Sequence, residues 1–242
     1  MTRLSVNLNK IALLRNSRGR DYPNVVEFAK RFIDLGVQGI TVHPRQDERH
    51  IKRQDAYDLA AFLKDFPDVE YNVEGYPSDD FIQLIEDTKP DQCTLVPDSD
   101  TQLTSDHGWQ VMANRSLLDD VLVALKRANV RSALFLDPDP RLVDDTVDAG
   151  YDRIELHTEA YANAHSKGEG ETAIIPYQDA CNRAVQLNIG VNAGHDLDLS
   201  NLGDFLAIGN VLEVSIGHAL TVECILNGIE PVTKQYLQIC HR

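Results

Sequence analysis

Residues 39–51 read Gly-Ile-Thr-Val-His-Pro-Arg-Gln-Asp-Glu-Arg-His-Ile, and the change of character halfway along this stretch decides the fold. Ile40 and Val42 form a short apolar run of the kind that makes a buried strand. The run stops at His43-Pro44, because Pro44 has no backbone N–H to continue a central ladder. Immediately beyond lie Arg45, Arg49 and His50 around the acidic pair Asp47-Glu48. A hydrophobic strand that delivers an imidazole and cations into the following loop is how a parallel α/β protein presents a site at its strand ends.

Working outward from this stretch, the pattern repeats. Strands are expected at 4–9, 39–43, 70–74, 92–96, 131–137, 153–157, 190–195 and 211–218. Amphipathic helices are expected at 24–35, 53–66, 78–87, 116–128, 140–149, 172–187, 199–207 and 220–226, and a further one at 232–241. Ser78 is the expected N-cap of the third helix. Eight βα units within 242 residues, with no break in composition, predict one (β/α)8 TIM barrel domain over 1–242 with extra helices. An open doubly wound sheet is the alternative. Asn9-Lys10-Ile11-Ala12, after the first strand, carries neither a dinucleotide fingerprint nor a P-loop.

The net charge of -15 argues against nucleic acid or an anionic membrane as partner. The charge is unevenly placed, with residues 1–53 at +6 and the remainder at -21, so a local anion site on an acidic body is expected. No apolar run reaches the roughly 18–20 residues of a membrane span, and no targeting segment is expected ahead of the first strand. Cys93, Cys181, Cys224 and Cys240 stand far apart, which favours reduced thiols in a cytoplasmic protein over disulfides or a zinc knuckle.

In such a barrel the chemistry belongs at the carboxyl ends of the strands. Those ends carry Asn7 and Asn9, His43, Glu74, Glu155 and His157, Asn192 and His195, and Ser215 and His218. Side chains alternate along a strand, so Arg153, Glu155 and His157 share one face and Ile154 and Leu156 the other. Glu74, His43, Glu155 and His195, arriving from four strands, suit repeated proton transfer. Gly194-His-Asp-Leu197 and Gly217-His-Ala-Leu220 repeat a Gly-His-x-Leu pattern after strands seven and eight, where barrels bind phosphate. Arg18, Arg45 and His50 suggest a second anion site, since the guanidinium fork grips two oxygens at once. The polar stretches 97–115 and 159–171 are expected to be long loops, with a lid as a natural role. Lys10 is the one lysine near a strand end, so Schiff-base chemistry has little support. A metal site is possible but not indicated, because Asn7-Leu-Asn9 stands where metal hydrolases carry His-x-His.

The runs Val6-Asn-Leu-Asn-Lys-Ile11, Leu14-Arg-Asn-Ser-Arg-Gly19, Gly39-Ile-Thr-Val-His-Pro-Arg45, Arg49-His-Ile51, Leu95-Val-Pro97, Ile154-Glu-Leu-His-Thr158, Val191-Asn-Ala-Gly-His195 and Ser215-Ile-Gly-His-Ala219 together resemble the pyridoxine 5′-phosphate synthase family. They follow one another along essentially the whole chain. The resemblance implies a cytoplasmic barrel enzyme that needs no metal and no organic cofactor. Its reaction joins 1-deoxy-D-xylulose 5-phosphate to 3-amino-2-oxopropyl phosphate and gives pyridoxine 5′-phosphate, phosphate and water. It also implies homo-octamers built from dimers. His43 and Glu74 would then be proton acceptors, His195 a proton donor, and Glu155 the group that stabilises a transition state. Asn7, Asn9, Lys10, Arg18, Arg45, His50, Thr104, Asp196, Gly217 and His218 would bind the phosphorylated substrates.

Two positions depart from the family pattern. Asn9-Lys10 stands where Asp-His is common, and Asp196 stands where Gly is common. Asn9 is expected to keep a hydrogen bond to a sugar hydroxyl, and Lys10 to replace an imidazole as a cation. Asp196 would repel a phosphate unless its carboxylate turns away or its backbone amide does the binding. Two other readings use the same residues: a phosphosugar isomerase, epimerase or lyase barrel, and a barrel that binds phosphometabolites without converting them.

Overall fold

The computed structural model describes residues 1–98 and 105–241. The chain runs β1 (Arg3–Asn7), α1 (Asn9–Asn16), α2 (Val25–Asp34), β2 (Gly39–Val42), α3 (Arg53–Leu63), β3 (Glu70–Gly75), α4 (Asp79–Thr88) and β4 (Gln92–Leu95). It continues through α5 (Arg115–Ala128), β5 (Arg131–Leu136), α6 (Pro140–Ala149), β6 (Arg153–His157), α7 (Glu159–His165), α8 (Gly170–Ala173), α9 (Ile175–Gln186) and β7 (Gly190–Gly194). The last elements are α10 (Leu202–Leu206), β8 (Val211–Ile216), α11 (His218–Asn227) and α12 (Ile229–Cys240). The strands pair in parallel in sequence order, and β1 closes on β8, so the sheet is the expected (β/α)8 barrel.

The register explains why the sequence reads as it does. Outward-facing strand residues are apolar and fully covered by helices: Leu4 and Val6, Ile40 and Val42, Tyr71 and Val73, Ile154 and Leu156, Val214 and Ile216. That layer of strand and helix side chains is the hydrophobic core. The other face of each strand points into the barrel, and there the residues are mostly polar. Ser5 and Thr41 share a hydrogen bond of 2.7 Å. Thr94 donates to Asn72 at 3.1 Å, and Arg153 donates to Asn192 at 3.1 Å. At the amino end, Arg3, Arg131 and Arg153 surround the buried Glu70. A barrel usually fills this space with branched aliphatic side chains, whereas here polar side chains that hydrogen-bond one another occupy much of it.

Local signals set most boundaries. Ser78 accepts from the Phe81 N–H at 3.3 Å and caps α4, as expected. Asp139 and Pro140 open α6, and Gly150 ends it in a left-handed conformation. The first strand is shorter than expected and Asn9 does not lie in it. Asn7 Oδ1 accepts the Asn9 N–H at 3.0 Å, which turns the chain straight into α1. The stretch 159–171 is not a loop either. Ala160, Ala162 and Ala164 favour helix, and α7 packs its Tyr161 against Tyr177 and Phe205. The small-residue run that suggested a loop, 166–170, forms mainly the turn between α7 and α8.

Helix α1 is tied to the segment that follows β2. Arg15 and Asp55 are both buried, and the guanidinium donates to the carboxylate at 2.5 and 2.8 Å. Asn16 donates to the His50 carbonyl at 2.7 Å, and Asp55 accepts the Lys52 N–H at 2.7 Å at the start of α3. Asp55→Ala strands a buried guanidinium and uncaps a helix, so it should lower stability by about 3 kcal/mol in urea unfolding.

Candidate active site

Beside the carboxyl ends of β2, β3 and β4 lies a cavity of about 620 Å³ lined by His43, Arg45, Tyr76 and Asp98 among others. His43 stands one residue past β2. Its backbone N–H donates to Asn9 Oδ1 at 3.0 Å. Its ring lies between two carboxylates, with Nδ1 3.9 Å from Glu74 Oε2 and Nε2 3.9 Å from Asp98 Oδ2. Burial, with His50 and Arg45 nearby, holds the imidazole well below the usual histidine range, so it is neutral at neutral pH. Asn9 therefore positions the backbone of His43, a task the sequence reading had not given it.

Glu74, in β3, is also buried and accepts from Asn7 Nδ2 at 3.3 Å. Burial, together with the charges of Glu155 and Asp98, pushes this carboxyl well above the usual range. In the resting site the proton therefore sits on Glu74, and His43 holds an open lone pair. Glu155, from β6, is pushed up to about 7 by burial. Its Oε2 is enclosed and has no hydrogen-bond partner among the described residues. It fits because Gly194 faces it from β7: a Cβ there would lie 2.8 Å from Glu155 Oε1 and 3.1 Å from the Ser215 carbonyl. Gly194 thus contributes the absence of a side chain.

His195 follows Gly194 with φ at +89°, a conformation that non-glycine residues rarely hold. Thr158 pins this corner by donating to the carbonyls of Gly194 at 2.6 Å and His195 at 2.5 Å. The His195 ring stands edge-on to His157 with ring centres 5.1 Å apart. Burial, with His157 beside it, lowers the His195 pKa.

Arg45 and Lys10 form the cationic side, with His50 close to both. Arg45 donates to Asp98 at 2.8 Å, and Ser105 donates to the same oxygen at 2.8 Å. His50 accepts the Ile51 N–H on Nδ1 at 2.9 Å. Burial, with Arg45, Lys10 and Arg49 close by, lowers its pKa to about 4. A neutral His50 with Nδ1 occupied carries its proton on Nε2, which makes it a donor.

The structure gathers Asn7, Asn9, Lys10, His43, Arg45, His50, Glu74, Glu155 and His195 into this site. Gly217 joins them, since a Cβ there would meet Asn7 at 3.1 Å. Arg18, Asp196 and His218 are exposed at the rim and take no part in these hydrogen bonds. Thr104 lies outside the described residues, as does part of the expected 97–115 loop. The two Gly-His-x-Leu motifs fold differently. Gly217 is followed at once by α11, whose first N–H groups are unpaired within the helix and suit an anion. His195 and Asp196 instead take two successive left-handed conformations, and the short α10 starts only at Leu202.

Asp98 was missed as a site residue. Its sequence signal was position alone, a carboxylate just past β4 after Leu95-Val-Pro97. Asp137, just past β5, was missed in the same way and faces His157 Nδ1 at 3.7 Å.

Comparison with known proteins adds to this geometry. Residues 4–242 match the family model described as Pyridoxal phosphate biosynthesis protein PdxJ. The chain is 49% identical to the pyridoxine 5′-phosphate synthase of Bacteroides thetaiotaomicron, with 98% of each chain covered. It is 45% identical to that of Christiangramia forsetii, with 99% of each covered. Among solved structures it is similar to a 3-hexulose-6-phosphate synthase, with a TM-score of 0.65 and 12% identity over 98% of this chain and 99% of the other. It is likewise similar to the thiamine phosphate pyrophosphorylase of Pyrococcus furiosus, with a TM-score of 0.62 and 12% identity over 99% of this chain and 95% of the other. At such identity these two likenesses concern the fold.

Proposed function

The chain belongs to the family of the pyridoxal phosphate biosynthesis protein PdxJ, and from that membership we infer that it is a pyridoxine 5′-phosphate synthase. It condenses 1-deoxy-D-xylulose 5-phosphate with 3-amino-2-oxopropyl phosphate, releasing phosphate and water. The observation that carries this reading is the pairing of a neutral imidazole with a protonated carboxyl, His43 with Glu74, beside an arginine and two further histidines. Ring formation between an amine and a ketone needs protons taken from carbon and given to departing oxygen many times over. A buried neutral base next to a buried acid can do both without waiting for solvent.

His43 is the first proton acceptor. Glu74 begins as a donor, and becomes an acceptor once its proton has gone. Glu155 stabilises positive charge on the iminium-like intermediates of the condensation, and His195 passes a proton to a leaving group after substrate phosphate has raised its pKa. Arg45, His50 and Lys10 hold one phosphate, and Arg18 and Thr104 add to substrate binding. The amino end of α11, with Gly217 and His218, holds the other, and Asn7 and Asn9 line the space between. Asp196 contributes its backbone. Two anchors keep both substrates in register and remove much of the entropic barrier.

No described helix is long and apolar enough to cross a membrane, and a cytoplasmic location follows from the biosynthetic role. The homo-octamer built from dimers draws support from Leu13 and Leu14 on α1 and Val222, Ile225 and Leu226 on the neighbouring α11, all exposed.

Arg45→Ala should raise KM by about 30-fold and leave kcat nearly unchanged, since a hydrogen-bonded charge is worth roughly 1.5–3 kcal/mol. Glu155→Gln separates an enzyme from a barrel that only binds. The variant should bind both substrates by calorimetry and lose turnover by about 100-fold. Its rate profile should also lose an inflection near pH 7. A parent chain that binds both substrates and converts neither is a sensor.

A further inference from the structure

One cluster at the barrel mouth is larger than the reaction requires. His157 ends β6, Glu159 opens α7, and His195 follows β7. One nitrogen from each ring and one carboxylate oxygen lie within 4.8 Å of one another. His157 Nε2 is 3.4 Å from Glu159 Oε2, yet it is enclosed and has no hydrogen-bond partner among the described residues. Around a zinc-sized ion, ligand atoms at about 2.0–2.1 Å in tetrahedral geometry sit roughly 3.3 Å apart, so the first pair already has nearly the right spacing.

The surroundings are also those of a metal site. The other nitrogen of His157 faces Asp137 Oδ1 at 3.7 Å. A ligating histidine commonly has a carboxylate behind it, which fixes the tautomer and raises basicity. Tyr177 donates to the His157 carbonyl at 2.9 Å, and Thr158 ties the ends of β6 and β7 together. The side chains of His157 and Glu159 are 8% and 37% exposed, so one ligand is held rigidly and the other faces the entry path.

We propose that His157, Glu159 and His195 form a binding site for a divalent transition-metal ion of the zinc type, with Asp137 as its outer support. Two imidazoles and one carboxylate select such ions over magnesium or calcium, which prefer all-oxygen shells. The ion takes the lone pair of His195. On the reading that His195 carries a proton in turnover, ion binding and catalysis exclude each other, and the ion acts as an inhibitor.

The test titrates Co(II), then Zn(II), into the chelator-treated full chain without substrate. Expected are visible d–d absorption typical of low coordination number and one ion per chain in the micromolar range. His157→Asn and Glu159→Gln should each weaken binding by more than about 100-fold, and Asp137→Asn by about 10–100-fold. Zn(II) should inhibit turnover over the same range, and Glu159→Gln should relieve that inhibition. Unchanged affinity in His157→Asn and Glu159→Gln, or no binding below millimolar ion, overturns the site. Ligand-dependent binding with undiminished turnover upholds the site, and instead removes His195 from proton transfer.

Discussion

His43→Asn should lower kcat by about 1,000-fold and leave KM within a few-fold of the parent. General-base catalysis contributes roughly 10²–10⁴-fold, and His43 is its first acceptor here. Asparagine can preserve the backbone hydrogen bond to Asn9, and its amide is close to the imidazole in size, so the phosphate anchors should stay in place. Loss confined to kcat identifies a group that acts in the transition state, and loss confined to KM identifies a substrate ligand. Paired with Arg45→Ala, the variant divides the 39–51 stretch into a proton acceptor and a phosphate anchor. Exchanged effects would show that division to be wrong.

Glu74→Gln should cost about 1,000-fold as well, and its pH profile carries more information than its size. A carboxyl pushed well above the usual range by burial and neighbouring carboxylates is protonated in the resting site. If it acts first as a donor, the parent rate falls as pH rises through that raised pKa. His43, held well below the usual histidine range, stays neutral as pH falls through 7, so the acid limb near pH 7 belongs to Glu155, which must ionise to stabilise positive charge. The parent rate should therefore rise through the Glu155 inflection near pH 7 and level off above it. Glutamine can accept and donate a hydrogen bond but cannot release a proton, so the alkaline limb due to Glu74 should vanish with the activity. A parent rate that climbs steadily from pH 6 to 9 would mean that Glu74 must be ionised at the start.

The barrel was legible because strand alternation and strand count are local properties. Ile154 and Leu156 against Arg153, Glu155 and His157 state both faces of β6 outright, and the structure keeps those five residues as the strand. What was not legible depends on partners far away in the chain. Arg15 reads as a surface residue of a basic segment, but Asp55, 40 positions on, makes it the buried arginine while Arg18 stays exposed. Asp98 gains meaning only from Arg45 and His43. Asn9, expected to face a sugar hydroxyl, supports the backbone of His43. The paired Gly-His-x-Leu motifs looked alike because sequence does not reveal that one runs into a helix of ten residues and the other into two left-handed residues.

The central claim is that this rim of imidazoles and carboxylates builds an aromatic ring from two phosphorylated substrates. The most direct measurement mixes the parent chain with saturating 1-deoxy-D-xylulose 5-phosphate and 3-amino-2-oxopropyl phosphate and follows organic product and free phosphate together. Pyridoxine 5′-phosphate should accumulate with one phosphate released for each molecule formed. Phosphate release without pyridoxine 5′-phosphate, or no product at saturation, would contradict the claim.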